Sequence, residues 1–324
     1  MTNIGGAVQG NMNQVRMVVE SNNKLSIAVP TFNREGFIDS FMCELRSGIE
    51  AYGVDVYVSD NASSDGTKVI LERHAKESPH VHNHRNEMTV GPDENFELVL
   101  GLPETPYIWL MGDTYRMTRQ TVDAVMQAIK EEQYDAIIVN VAGRVDDVKE
   151  RVFTDKNELL SEIGWHMTCM SALVFSRELL RNADFSRYRD TNFLQTGIIF
   201  EYLADKPVRV KWIPQHSVLG LDVPGAKKTS WEDQTFEIWT KRWANFVFSL
   251  PASYSLDAKL KCIMDHGFKS KVFTLSALKH LRRKGILNHE SYRNYSRYFP
   301  LTIKYPSLLI RFLALLPRGV TRLF

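Results

Sequence analysis

The stretch Leu25–Val29, LSIAV, is a short apolar run with branched residues, stopped by Pro30 and followed by the polar turn TFNREG, which predicts a buried strand ending in a loop. Phe37, Ile38, Phe41, Met42, Leu45 and Ile49 then recur at helical intervals, so 37–49 reads as a helix with one apolar face. Val54–Val58 is a second strand; it ends at SDNASSDGT, and Thr67–His74 follows as a helix. Tyr107–Met111, YIWLM, is a further apolar strand, with Gly112 and Asp113 where the chain turns. Strands feeding helices through short polar loops predict an α/β fold, a mostly parallel sheet with helices on both faces. Ligands in such sheets sit outside the carboxyl ends of the strands, so the ends PTFNRE, SDNASSDGT and GDTY are read together. Alone, Asp60, Asn61, Ser63, Ser64 and Asp65 are also what caps a helix and shapes a turn.

Further along, HVHNHR places His80, His82 and His84 at alternate positions, on one face of a strand; a metal pattern and a solvated edge strand both fit, and the absence of a fourth ligand favours the edge. Phe193, Leu194, Ile198, Ile199 and Tyr202 form a helical pattern with Asp190 just ahead of it, where aspartate is a favoured N-cap. His216, after an edge strand, reads as a structural histidine. From Trp231 the chain reads as helices. In its tail, Lys304, Arg311, Arg318 and Arg322 recur at offsets of seven, seven and four around SLLIRFLALL, with Pro306 and Pro317 as interruptions. That apolar run is too short to span a bilayer, which takes about 20 residues. It suits a membrane interface, with arginines toward anionic head groups, or packing on the protein itself.

Composition narrows the choice of partner. In 324 residues, 40 Lys and Arg stand against 38 Asp and Glu, so no general basic field gathers nucleic acid. Cys43, Cys169 and Cys262 are odd in number and lack CxxC spacing, which argues against a disulfide framework or a zinc site and fits a reducing cytoplasm. The first 23 residues have no basic region followed by an apolar one, so they read as a loose leader with a short helix near Gln14–Glu20, not a secretory signal.

The blocks LSIAVPTFNRE, VDVYVSDNASSDGT, NEMTVGPDENF and YIWLMGDTY resemble, in order and spacing over Leu25–Ala128, those of the family 2 glycosyltransferases, with a weaker similarity to about Trp231. The resemblance implies a GT-A (Rossmann-like) domain over 24–230, with 231–324 as a helical C-terminal extension, and an inverting transfer from a nucleotide-sugar donor to a saccharide acceptor. It places Pro30, Thr31, Asn33, Arg34 and Glu35 along the ribose and base, with Asp60, Asn61, Ser63 and Asp65 at the second strand end. Gly91, Asn95 and Gly112 become neighbours of the donor. A carboxylate at Asp60 suits the single imide N–H of uracil or thymine, which makes a UDP- or dTDP-sugar the favoured donor. Arg34 and Glu35 could instead form a solvated surface pair.

Family members hold a divalent cation with an Asp-rich triplet after the YIWLM strand, and the cation neutralises the leaving nucleoside diphosphate. Here that triplet is Asp113, Thr114 and Tyr115. Either Asp113 alone still binds Mg2+ or Mn2+ with phosphate oxygens and waters, or Arg116, Lys227 and Lys228 share the charge, or activity has been lost and a nucleotide-sugar-binding module remains. A surviving, less metal-dependent site is favoured. Direct displacement at an anomeric carbon requires a general base, and Asp190 matches the family position, with Glu201 as the alternative. Gly164, Trp165 and His166 are candidate acceptor-lining residues, although Trp165 equally suits a core. A membrane-bound tail would favour a lipid-linked saccharide acceptor, as in surface polysaccharide assembly, on the cytoplasmic membrane face.

Overall fold

The structure, a computed structural model, describes residues 24–225 and 231–317. The Gln14–Glu20 helix, Lys227, Lys228, Arg318 and Arg322 lie outside the described residues.

Nine strands form a mixed sheet: β1 (Leu25–Thr31), β2 (Asp55–Asp60), β3 (Val81–Arg85), β4 (Tyr107–Leu110), β5 (Tyr115–Arg116), β6 (Ala136–Val141), β7 (Arg151–Phe153), β8 (Leu173–Ser176) and β9 (Val210–Gly220). Their order is β3-β2-β1-β4-β8-β6-β9-β5, with β7 also on β9. β1 runs parallel to β2 and β4, and β2 to β3, so four neighbouring carboxyl ends open along one edge of the sheet. β8 enters antiparallel between β4 and β6 and closes off this parallel half. β1 is buried at every position, as a strand covered on both faces must be.

Helices α1 (Glu35–Ile49), α2 (Thr67–Glu77), α3 (Pro92–Gly101) and α4 (Arg119–Glu131) follow β1, β2, β3 and β5. The six apolar positions of the predicted 37–49 helix are the buried residues of α1. Then come α5 (Lys156–Ile163), α6 (Arg177–Arg181), α7 (Leu194–Tyr202), α8 (Trp243–Ser249) and α9 (Leu256–Lys269), and finally α10 (Leu275–Lys284), α11 (His289–Tyr295), α12 (Phe299–Thr302) and α13 (Ser307–Leu315). One π-helical segment, Glu237–Arg242, leads into α8.

Packing divides the molecule later than 231. Trp243, Phe246, Val247, Cys262 and Ile263 join the main core with the sheet. A second cluster combines Phe236 with residues from Phe273 to Ala314. Gly267 marks the seam between them: a Cβ there would lie 1.8 Å from the Thr302 carbonyl oxygen, so α12 seats directly on the backbone of α9.

The three alternating histidines stand on β3, which is the sheet edge. His80 and His82 face Asp55 (2.9 and 3.4 Å), and His82 stacks on Tyr57. Trp165 and His166 are fully buried, so they belong to the core and do not line an open acceptor site. His166 Nε2 donates to the Val139 carbonyl and Arg144 donates to Nδ1 (3.0 and 3.2 Å). Burial and the charge of Arg144 push its pKa down to about 3. His216 borders a 410 Å³ cavity with Tyr52 and Asp123 beside α4, and no candidate site residue lines it.

Candidate active site

The loop after β1 and the loop after β2 are stapled together residue by residue. Asn33 N–H donates to Ser63 Oγ (2.8 Å) and Ser64 N–H returns to Asn33 Oδ1 (2.8 Å). Arg34 N–H donates to Thr67 Oγ1 (2.8 Å), Glu35 N–H to Asp65 Oδ2 (3.1 Å), and Gly66 N–H to Glu35 Oε2 (2.7 Å). Asn33 and Ala62 take left-handed backbone conformations (φ 50° and 56°) where the loops turn, a conformation asparagine tolerates and alanine adopts at a cost of roughly 1 kcal/mol. Burial raises the Asp65 pKa, but hydrogen bonds from Thr67 and the N–H groups of Glu35 and Thr67 outweigh it and hold the carboxyl below its usual range. Glu35 is therefore a loop staple and not half of a solvated pair with Arg34.

The side chain of Arg34 turns instead to the end of β4. Its Nε lies 3.3 Å from Asp113 Oδ2, the oxygen to which the Thr31 hydroxyl also donates (2.9 Å). Asp113 is buried, and burial raises its pKa against the opposing pull of Arg34 and Thr31. The cation at Asp113 is thus Arg34, whereas Arg116 belongs to β5, paired with β9. Gly112 lets the chain pass Met170 and Ser171: its N–H donates to Ser171 Oγ (3.0 Å), and a Cβ would sit 3.3 Å from the Met170 sulfur.

Asp60 is buried at the end of β2, accepting from Ser63 N–H (3.0 Å) and ion-paired with Arg85. Arg85 ends β3 directly opposite Asp60 in register, and it also donates to the Ser63 carbonyl (2.9 Å). Arg85 was not among the predicted site residues; the strand-end rule that selected the other loops applies to it equally. Asn61 and Asn95 turn their amides inward. Asn61 bonds to both backbone groups of Val90 and accepts from Asn86, and Asn95 ties α3 to Ser59, so both brace the loops and neither amide faces the cleft. Pro30 sits inside β1 opposite Ser59 as part of the wall.

Asp190 lies in a tight turn ahead of α7 with φ 62°, and its side chain is exposed. It is not the N-cap of α7; that position is Phe193, which has no side-chain cap bond. The turn is gripped from two sides: Asp190 N–H donates to Asp93 Oδ2 of α3 (2.8 Å), and Arg242 donates to the Asp190 carbonyl (3.2 Å) and to Asn192 Oδ1 (2.7 Å). Asp93 was missed by the sequence reading. Burial, reinforced by the charge of Asp190, raises its pKa to about 6. Glu201, the alternative base, is engaged by Tyr188 (2.6 Å) and Arg187 (2.8 Å).

The profile described as Glycosyl transferase family 2 matches residues 26–201, more than half of the chain. The chain belongs to glycosyl transferase family 2. A curated relative, abequosyltransferase RfbV of Salmonella typhimurium strain LT2, is 25% identical over 190 residues, covering 57% of this family 2 chain; the match spans about half of the relative's length (52%). Among solved structures, Staphylococcus aureus TarS 1–349 in complex with UDP-GlcNAc superposes with a TM-score of 0.57 at 15% identity, over 90% of this chain and 87% of that one. Mannosyltransferase PcManGT from Pyrobaculum calidifontis, in complex with GDP-Man and Mn2+, gives 0.54 at 15%, over 93% and 87%. The fold is the GT-A fold of these transferases.

Measured against a family 2 cation site, the donor set here is sparse. Thr114 and Tyr115 supply no carboxylate, and the phenol of Tyr115 faces Cys169, which together with burial pushes its pKa up. Among the described residues the one metal-type cluster, Asp39, Cys43 and His74, lies between α1 and α2, where Arg73 and Arg46 already occupy Asp39 and His74. Asp113 can give an ion one carboxylate, with Arg34 sharing its other oxygen. That fits a hard cation that keeps several waters.

Proposed function

We propose that the chain is an inverting glycosyltransferase that takes its sugar from a UDP- or dTDP-sugar and passes it to a saccharide acceptor, in surface polysaccharide assembly. The observation that carries the reading is the junction of Thr31, Arg34 and Asp113 at the ends of two adjacent strands, β1 and β4, under loops rigidified by their mutual hydrogen bonds. The base and ribose lie along Thr31–Glu35 and Asp60–Asp65, with Asp60 accepting the base N–H through a carboxylate that has lone pairs beyond those used by Ser63 and Arg85. Asp113 holds a divalent cation, Mg2+ or Mn2+, which neutralises charge on the diphosphate when bound, and Arg34 adds fixed positive charge beside it. The Asp190 carboxylate takes the proton of the acceptor hydroxyl as its oxygen bonds to the anomeric carbon. The bond from that carbon to the donor's β-phosphate oxygen breaks on the opposite face, the nucleoside diphosphate leaves, and configuration inverts.

Two features bear on where this happens. No helix among the described residues is long and apolar enough to cross a membrane. α13 buries Ile310, Leu313 and Ala314 but leaves Leu308, Phe312 and Leu315 exposed (75, 59 and 57%) at i, i+4, i+7 spacing, beside exposed Arg311. We place a peripheral contact with the cytoplasmic membrane face there, which favours a lipid-linked saccharide acceptor.

Calorimetric titration of UDP, dTDP and GDP, each with Mg2+, Mn2+ or EDTA, tests the donor site. A uridine or thymidine diphosphate should bind in a metal-dependent way, and Asp113→Ala should weaken it by at least about ten-fold, the loss of one charged contact. Binding indifferent to EDTA would transfer the diphosphate to Arg34, and failure of every nucleotide would remove the reading.

A further inference from the structure

At the junction of the second cluster with the Asp190 turn lies a cavity of 330 Å³ lined by Asp233, Gln234, Glu237, Arg242, Ser291 and Tyr295 among others, within the roughly 300–1,000 Å³ range of ligand pockets. It draws on the segment after Trp231 and on α11, beyond the residues matched to the family profile. Yet it is joined to the candidate base, because Arg242 of its wall donates to the Asp190 carbonyl and to Asn192.

The wall is shaped by the π-helical segment. Glu237 and Arg242 are five residues apart, a spacing that an α-helix at 3.6 residues per turn would splay by roughly 140°. The i→i+5 winding brings them onto one side, and Arg242 Nε donates to Glu237 Oε1 (3.3 Å). Burial of Glu237 is outweighed by hydrogen bonds from Lys241, Tyr295 and Arg242, which keep its carboxyl ionised and in place. The Tyr295 ring stacks on Phe236 (15° between planes) beside the cavity.

We propose that this cavity is the acceptor-saccharide subsite. The proposal rests on the reading of Asp190 as base and adds where the acceptor sits. Asp190 is held from its backbone N–H by Asp93 of α3 and from its carbonyl by Arg242, which lines the cavity, so one side chain ties the cavity wall to the candidate base. The Asp233 and Glu237 carboxylates and the Gln234 amide accept from ring hydroxyls, Arg242 donates to them, and the Tyr295 side chain offers an apolar ring face. Arg242 is a positioning residue, fixing the base and the acceptor in one geometry.

The test is saturation-transfer NMR on the whole protein with saturating UDP, using the methyl glycosides of glucose, galactose, mannose and rhamnose as probes. At least one glycoside should receive saturation. Gln234→Trp, which fills the cavity from an exposed position, should cut the signal by at least about ten-fold, and Tyr295→Phe, which keeps the ring, by less. UDP affinity measured by calorimetry should not change in either variant. Lack of transfer to all four glycosides, or an undiminished signal in Gln234→Trp, overturns the subsite. Wild type that fails to bind UDP would count against the donor reading separately, with the glycoside signal still deciding the cavity.

Discussion

The two sides of the Asp190 turn are built by different means. On the proposed donor side, the loops after β1, β2 and β4 come from neighbouring parallel strands and interlock through polar staples between loops, so position follows from the sheet. On the other side, the wall is assembled from Glu237, Arg242 and Tyr295, brought together by two apolar clusters that meet at a helix seam. A parallel sheet delivers its loops to one edge whatever their length, whereas a helix seam holds its residues only as well as it packs. The proposed donor side should therefore be robust to change, and the proposed acceptor side dependent on the seam.

The sharpest division between the two is Asp190→Asn. Asparagine accepts the left-handed φ of 62°, so the bonds from its N–H to Asp93 and from Arg242 to its carbonyl survive, and only basicity is removed. Transfer should fall by about 10²–10⁴-fold while nucleotide binding is unchanged. Activity retained within a few-fold of wild type would move the base elsewhere, and Glu201, held by Tyr188 and Arg187, is poorly placed to inherit the role.

Next in size is Gly267→Ala, which strikes the seam alone. With the Thr302 carbonyl 1.8 Å from the new methyl, α12 must shift off α9, costing about 3 kcal/mol, the upper end for overpacking. Denaturant unfolding should show that loss, and the glycoside signal should weaken more than UDP binding. Equal weakening of both, or wild-type stability, would show that the two sides are not separately supported.

What the sequence made legible follows the same line. The donor loops were readable because each is a contiguous run of polar residues directly after an apolar strand, and α1 was readable because its six apolar positions keep one period. Arg85 obeys the same rule, but the reading of that strand rested on its three alternating histidines and an exposed edge, and passed over the arginine at its end. The GT-A sheet was legible as mostly parallel from its first half; the antiparallel insertion of β8 has no comparable local signal. Asp93, Arg242 and Tyr295 were not legible as site residues at all: separations of 97 and 52 residues from Asp190 to the first two leave no motif, and their proximity is a product of tertiary packing. A change to helical pattern at Trp231 likewise carries no sign that Trp243 and Cys262 pack on the first core.

The smallest of the expected effects probes the carboxylate of α3 that holds the Asp190 turn. Asp93 braces the Asp190 turn from α3, and its buried carboxyl has a pKa of about 6 against an ordinary 3.8. A folded-state pKa above the unfolded one means that the native protein holds the proton more tightly. The stability this gives is complete below about pH 3.8 and is lost as pH rises through about 6. Asp93→Asn keeps a carbonyl oxygen for the Asp190 N–H but cannot ionise. The variant should therefore be more stable than wild type at pH 8, by about 1–3 kcal/mol, and the gap should close toward pH 4. Thermal unfolding of both proteins across that range decides it. Parallel curves would mean that folding does not raise the Asp93 pKa, and the brace of the Asp190 turn would then be a carboxylate whose burial and repulsion from Asp190 are offset by Arg189 and Arg242.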